Sequence, residues 1–342
     1  MTEIRQKNLR TSRRPLHYHI TTLPLILLSS LLSWYVIRYP TEAGQATVEG
    51  MYLAVQRVLP TLFPFLVLST LLLRTGIAEK LLSLPANAVS FLFGCSREGA
   101  LALLIGCFCG FPIGGRLLSD LCKDGEIEPS ERNRLLPLAN HPSFAFLASV
   151  VGNGMLKSYK NGLLLFLSVL ISTLLLGIAT RNTKKTHRKA PMKAKRQQDA
   201  PTVLLTESIR SSIFTALVAS GFIIFFAVCA VSVECLFSIV GLSENLSRSL
   251  SGLLELSRGM QKAAELMGYP ASRLCGTILC GFFAGFGGLS AHLQVIATVE
   301  DRLPGGAEGH SCTLRSFVIR KFAEGGLSAL VYFLLFHVAN PL

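Results

Sequence analysis

The sequence predicts an all-α polytopic integral membrane protein with two gate-like repeats, built from glycine-broken helices and re-entrant hairpins. Three observations carry that expectation. Half of the 342 residues are hydrophobic and only 15% are charged, against about 25% in soluble domains, and mean hydropathy is +0.49. Several apolar runs reach or approach the roughly 20 residues that span a bilayer as a helix. They are continuous, not alternating as in a transmembrane barrel strand. Finally, two of the apolar segments hold dense glycine clusters: CFCGFPIGGR around Gly110, and GFFAGFGGLS ending at Ser290. Glycine costs a helix about 1 kcal/mol and proline about 3. Non-helical chain survives at membrane depth only inside protein or beside a wet cavity, so two such breaks at matching places in two halves point to a transporter's central site.

The elements follow in order. Residues 1–19 read as a basic arm, and 20–37 as a first membrane helix closed by Trp34, Tyr35 and Tyr39, an interfacial belt rather than a signal-peptide cleavage site. Residues 41–56 are polar to amphipathic and are expected at the outer surface. Residues 58–73 form a helix kinked near its start by Pro60 and Pro64. Residues 80–94 are short for a span and read as interfacial or re-entrant. Residues 99–121 are the first broken segment. Residues 131–155 are interrupted by Pro137, Asn140, His141, Pro142, Gly152 and Gly154, which predicts a re-entrant hairpin with residues 140–143 at its tip. Residues 161–179 are a plain span. After the linker, 204–240 form a long helix holding Glu234, and 242–264 a second re-entrant hairpin with Glu255 and Arg258. Residues 271–299 are the second broken segment, 304–309 a loop, and 313–338 the last span, with Glu324 early in it. Hairpin and broken span read in swapped order between the halves, so the repeat is imperfect.

Charge placement sets the expected topology. Five basic residues against one acidic in 1–19, and eight against one in 181–201, supply eleven of the thirteen net positive charges. Basic flanks stay in the cytoplasm, so the N-terminus and the linker at 181–203 are expected there, dividing a first membrane half (20–180) from a second (204–342). No folded nucleic-acid module accompanies these runs, and no nucleic-acid partner is expected. Nine cysteines without a CxxC pair read as small core residues. No nucleophile–base pair, phosphate loop or zinc-protease motif occurs, so neither an enzyme nor a metal or other cofactor is expected.

Polar groups at membrane depth face the interior or a pathway. Glu255 and Arg258 stand one turn apart and either pair with each other or meet solute. Asn140 and Ser143 either bond solute or recap freed backbone. Ser290, His292 and Gln294 share a face only if the chain there is extended. Arg116 and Lys123 read as a cytoplasmic helix end or as attraction for an anion. Helix N-termini at the breaks would favour a carboxylate.

Five blocks, VLPTLFPFLVLSTLL, GFPIGGRLLSDL, LLPLANHPSFAFLASVVGNGML, GLLELSRG and FGGLSAHLQV, resemble the sporulation integral membrane proteins of YlbJ/SpoVV type, within the wider nucleoside recognition gate group. The resemblance covers residues 48–338. It departs from the usual pattern at Cys109, where Ser is frequent, and at Pro142, which precedes Ser143. It implies paired gate repeats, a role in endospore formation, and movement of dipicolinate across the membrane around the forespore. The expected binding residues are Cys109, Gly110, Pro112, Gly114, Arg116, Asn140, Ser143, Glu255, Arg258, Gly287, Gly288, Ser290 and Gln294. Expected partners are the bilayer, a small anionic solute, and a second copy of the chain or other sporulation membrane proteins. The rival readings are a nucleoside-type transporter and a non-transporting scaffold or regulator.

Overall fold

The structure is a computed structural model that describes residues 16–182, 200–300 and 314–340. Most of the basic arm (1–15), most of the linker (183–199) and the connection at 301–313 lie outside the described residues. The chain divides into two compact units, 1–45 and 46–342. The first holds α1 (Leu16–Arg38) and the start of α2 (Pro40–Tyr52). At the end of α1, Trp34 stacks edge-on against Tyr39 with ring centroids 5.9 Å apart.

All regular structure among the described residues is helical. The chain is helical without a gap from Pro40 to Arg74, through α2, a π-helical turn at Leu53–Val58 and α3 (Leu59–Arg74). Residues 41–56 are helical and lead directly into the proline-bearing helix. Pro60 stands just after the π-helical turn and Pro64 lies further inside α3, so both remove hydrogen bonds within the continuous helix. α4 (Ile77–Phe93) and α5 (Arg97–Cys109) meet at 110°. The α5 N-terminus is capped by Ser96, whose hydroxyl accepts the Gly99 N–H at 2.9 Å. Ser96 is itself held by the buried Glu131 carboxylate, through its N–H at 2.8 Å and its hydroxyl at 2.6 Å.

Two interrupted elements follow in each half, then an unbroken helix. In the first half, α5 breaks at Gly110 and resumes as α6 (Ile113–Lys123). Then α7 (Pro129–Leu135) gives way to irregular chain, with residues 140–143 carrying no regular structure, before a π-helical stretch at Phe146–Met155. The plain span is α8 (Tyr159–Ala179). In the second half, α9 (Pro201–Ile239) precedes α10 (Glu244–Ser251) and α11 (Leu256–Met267), which are parted at residues 252–255. Then α12 (Arg273–Phe286) and α13 (Leu289–Glu300) are parted at Gly287 and Gly288, and α14 (Leu314–Ala339) is the plain span. Both elements before each plain span are thus interrupted, and the element order is the same in the two halves rather than swapped. Sequence reading paired the two glycine clusters because they look alike. In chain order the Gly110 break instead corresponds to residues 252–255, and residues 140–143 correspond to Gly287 and Gly288.

The breaks within each half satisfy one another. Phe111 N–H donates to the His141 carbonyl at 2.9 Å. Gly115 N–H donates to the Asn140 side-chain oxygen at 3.1 Å, and the Asn140 amide donates to the Leu136 carbonyl at 2.6 Å. Across the second half, Leu289 N–H donates to Leu253 at 2.8 Å and Ser290 N–H to Leu254 at 2.9 Å. Gly110 takes φ +79°, a left-handed value that L side chains rarely adopt, and a Cβ there would meet Ser143 at 2.6 to 2.8 Å. Close helix approach on small residues also joins α12 to α14: a Cβ on Gly281 would stand 2.7 Å from the Ala329 Cα, and one on Gly285 3.0 Å from the Gly325 Cα. Among the described residues, five helical stretches are long and apolar enough to cross a membrane; the shortest, α8, has 21 residues, about 32 Å at 1.5 Å per residue.

Gly114 faces the carbonyl of Ala139 so closely that a Cβ would overlap it. Gly114→Ala should lower the melting temperature of the detergent-purified protein, with a stability loss of about 1–3 kcal/mol or more as for an overpacked core. Gly326→Ala, whose Cβ would meet nothing within 4 Å, should leave it unchanged. Equal melting of the two variants would show that the breaks are not tightly packed.

Candidate functional site

The four breaks meet. A cavity of about 60 Å³ is lined by Phe111, Pro142, Ser143 and Phe146 from the first half and by Glu255, Leu256, Ser257, Ser290, Ala291 and Gln294 from the second. Val58 of the π-helical turn, Leu62 of α3, and Ala219, Phe222 and Ile223 of α9 close its sides with apolar surface. Its size suits about two waters, each occupying about 30 Å³ of liquid.

The polar lining residues other than Gln294, which lies midway along α13, stand at the start of a helix. Ser143 accepts the Phe146 N–H at 3.1 Å, opening the π-helical stretch. Glu255 accepts the Arg258 N–H at 2.9 Å and caps α11, with 2% of its surface exposed. Ser290 lies in the first turn of α13. Phe111 directly precedes the turn into α6. Helix N-termini carry about half a positive elementary charge each, so the cavity collects several positive dipole ends around one carboxylate. The Gln294 side-chain nitrogen is buried and has no hydrogen-bond partner among the described residues. It is an N–H₂ donor at the cavity, waiting for an acceptor.

The remaining expected site residues stand elsewhere. Cys109 is buried among Leu66, Ile105 and Ile113. Gly110, Pro112, Gly114, Gly287 and Gly288 shape the breaks without lining the cavity, and Gly288 packs against the Leu256 backbone. Asn140 recaps freed backbone, as its bonds to Gly115 and Leu136 show. Arg116 donates to the Ser211 hydroxyl at 3.0 Å and lies 4.0 Å from Asp120. Arg258 does not pair side chain to side chain with Glu255. Its guanidinium stands 3.4 Å from Glu234 and 3.5 Å from Glu49, because Glu255 turns back to cap the helix. Residues 289–300 are helical rather than extended. Ser290 and Gln294, four apart, share the cavity face, while His292 donates through Nε2 to the Phe286 carbonyl at 2.6 Å.

A second, larger hollow of about 800 Å³ adjoins Arg258 and is lined by residues preceding α8 (Gly154, Met155, Lys157) and by Glu234 near the end of α9. It therefore lies at the end of the bundle away from Ala179 and Pro201. Arg57, Lys157, Arg248, Arg258 and Lys262 oppose Glu49, Glu234 and Glu265 on its walls, a positive surplus.

Sequence reading passed over Lys321 as a candidate and named Glu324 only by position. Both are buried in α14, where the Lys321 ammonium lies 2.7 Å from the Glu324 carboxylate and the His141 Nδ1 3.1 Å from it. The signal was present: Lys321 and Glu324 stand three apart, one turn, in a membrane helix.

No family model matches the chain. It is 24% identical over 354 residues to the sporulation integral membrane protein YlbJ of Bacillus subtilis (strain 168), across 92% of this chain and 83% of that one. Its fold matches CNTnw, a concentrative nucleoside transporter. An outward-facing CNTnw variant superposes with a TM-score of 0.62 at 12% identity, covering 94% of this chain and 85% of that one. The inward-facing substrate-bound CNTnw structure gives 0.51 at 13% identity, covering 94% and 86%. Together these support a membrane protein with a transporter-like fold that is similar to the sporulation protein YlbJ.

Proposed function

We propose that the chain is a carrier for a small organic anion, with a planar dicarboxylate such as dipicolinate as the expected solute, crossing at the cavity where the four breaks meet. The observation that carries this reading is the convergence of helix N-termini on one buried hollow with an unpartnered Gln294 amide. The positive dipole ends of helices attract carboxylates, and the amide donates to a carboxylate oxygen. The positively biased hollow beside Arg258 would gather anions before they reach the cavity. At about 60 Å³ the cavity is far below the 300–1,000 Å³ of ordinary small-molecule sites. Solute therefore enters only when the interrupted elements part from α3 and α9, and alternating access is movement of the breaks against those walls. With the basic linker in the cytoplasm, the large hollow opens outward.

One observation favours a second reading. The Glu255 carboxylate on the cavity wall repels an anion and accepts from a ribose hydroxyl, as a nucleoside site would. Vesicles holding the purified chain, offered labelled dipicolinate and labelled uridine, separate the two. Uptake of dipicolinate that uridine does not inhibit is the expected result; the reverse favours the nucleoside reading, and vesicles that take up neither point to a non-transporting scaffold.

A hydrogen bond to a charged group contributes about 1.5–3 kcal/mol, so Gln294→Leu should lower uptake about tenfold or more at unchanged protein level. Unaltered uptake would remove the cavity from the pathway. Arg258→Ala should lower dipicolinate uptake several-fold at low salt and by less at high salt, since screening weakens attraction between exposed charges. A loss independent of salt would mean that Arg258 holds structure instead.

A further inference from the structure

We propose that His141, Lys321 and Glu324 form a proton-binding site that couples solute movement to a proton gradient, an inference whose transport half rests on the carrier reading above. None of the three lines the cavity, and each is at most 1% exposed. Ionisable side chains are expensive at membrane depth and mark ion or proton pathways. A buried ion pair is also often no more stabilising than apolar residues of the same volume, so packing alone does not account for this one.

The geometry gives His141 two stable protonation states. Its Nε2 faces the Leu138 carbonyl at 2.5 Å and the Thr173 hydroxyl at 3.0 Å. A carbonyl only accepts, so Nε2 keeps its proton throughout. Nδ1 has two partners of opposite kind: the Glu324 carboxylate at 3.1 Å and the Lys321 ammonium at 3.4 Å. With a proton on Nδ1, the imidazolium donates to Glu324. Without it, the Nδ1 lone pair accepts an N–H from Lys321, which keeps its own bond to Glu324 at 2.7 Å. In the exchange the N–H bond at Nδ1 breaks, the electron pair stays on nitrogen, and the proton passes to water admitted as the cavity opens. The net charge of the three groups changes from +1 to 0. The other titratable or polar groups facing the cluster are Thr173 of α8, whose hydroxyl donates to Glu324 at 3.0 Å, Cys107 of α5 and His292 of α13.

Coupling follows from the chain. The His141 carbonyl accepts the Phe111 N–H, and Phe111, Pro142 and Ser143 line the cavity. A change of charge on the imidazole therefore acts on the stretch that forms the cavity wall.

The test uses the full chain in vesicles clamped at zero membrane potential, with labelled dipicolinate and uridine as probes. An inward proton gradient should raise accumulation of the transported probe about tenfold over equal pH, and an equal sodium gradient should not. Glu324→Gln should lower the ratio of gradient-driven uptake to equal-pH exchange by tenfold or more. An unchanged ratio, or drive by sodium alone, overturns the proposal. If neither probe moves, the carrier reading fails by itself, and the proton site is read from nitrogen NMR of ¹⁵N-histidine-labelled empty protein. A signal lost in His141→Gln that titrates between pH 5 and 9, with its midpoint displaced in Glu324→Gln, supports the site. A His141 signal that keeps one protonation state across that range, or whose midpoint ignores Glu324→Gln, overturns it.

Discussion

An interrupted helix exposes peptide groups that lipid cannot bond, at a cost of several kcal/mol for each group left alone. Among the described residues, four interruptions meet at the hollow, and each is answered by another in its own half. The Phe111 N–H reaches the chain at His141, and the N–H groups of Leu289 and Ser290 reach Leu253 and Leu254. Side chains complete the arrangement: Asn140 serves Gly115, Ser143 serves Phe146, and Glu255 serves Arg258. The pairing requires backbones to approach within van der Waals contact, which is why Gly106 and Gly114 stand against Ala139 and Gly288 against Leu256. Removal of any one break would orphan its partner, so the four persist as a set.

What the breaks leave over is chemistry. Helices that restart inside the protein present N-termini there, and the restarts are close enough to share one hollow with α3 and α9 as its apolar walls. The hollow is small because the breaks are closed on one another. On the carrier reading proposed above, backbone pairing and solute binding compete for the same groups, and that competition makes opening and occupancy a single event. The buried charges of α14 sit directly behind one break, through His141, so on the proposed reading the same stretch of chain answers both to solute on one side and to charge on the other.

Much of this was legible. Gly110, Gly287 and residues 140–143 announced themselves by placing glycine and proline inside apolar runs, and Ser143, Glu255, Ser290 and Gln294 were drawn to the site as polar groups at membrane depth. Local pattern did not reveal which break answers which. The likeness between the two glycine clusters suggested the wrong correspondence, because small residues serve close packing in both places for different partners. Asn140 and Arg258 illustrate a further limit. Their side chains are spent on Gly115 and Leu136 and on Glu234 and Glu49, and only assembled neighbours decide between recapping, pairing and solute. The link between Lys321 and His141 was not legible because the two stand 180 residues apart.

The central claim is that both halves of the chain present their breaks to one solute-filled hollow. Single cysteines at Ser143→Cys and Ser290→Cys, in a background without the native cysteines, test it with a membrane-impermeant thiol reagent. The account predicts that both positions label in the reconstituted protein and that the transported solute protects both at the same concentration. Protection of one without the other, or labelling that no solute alters, would contradict it.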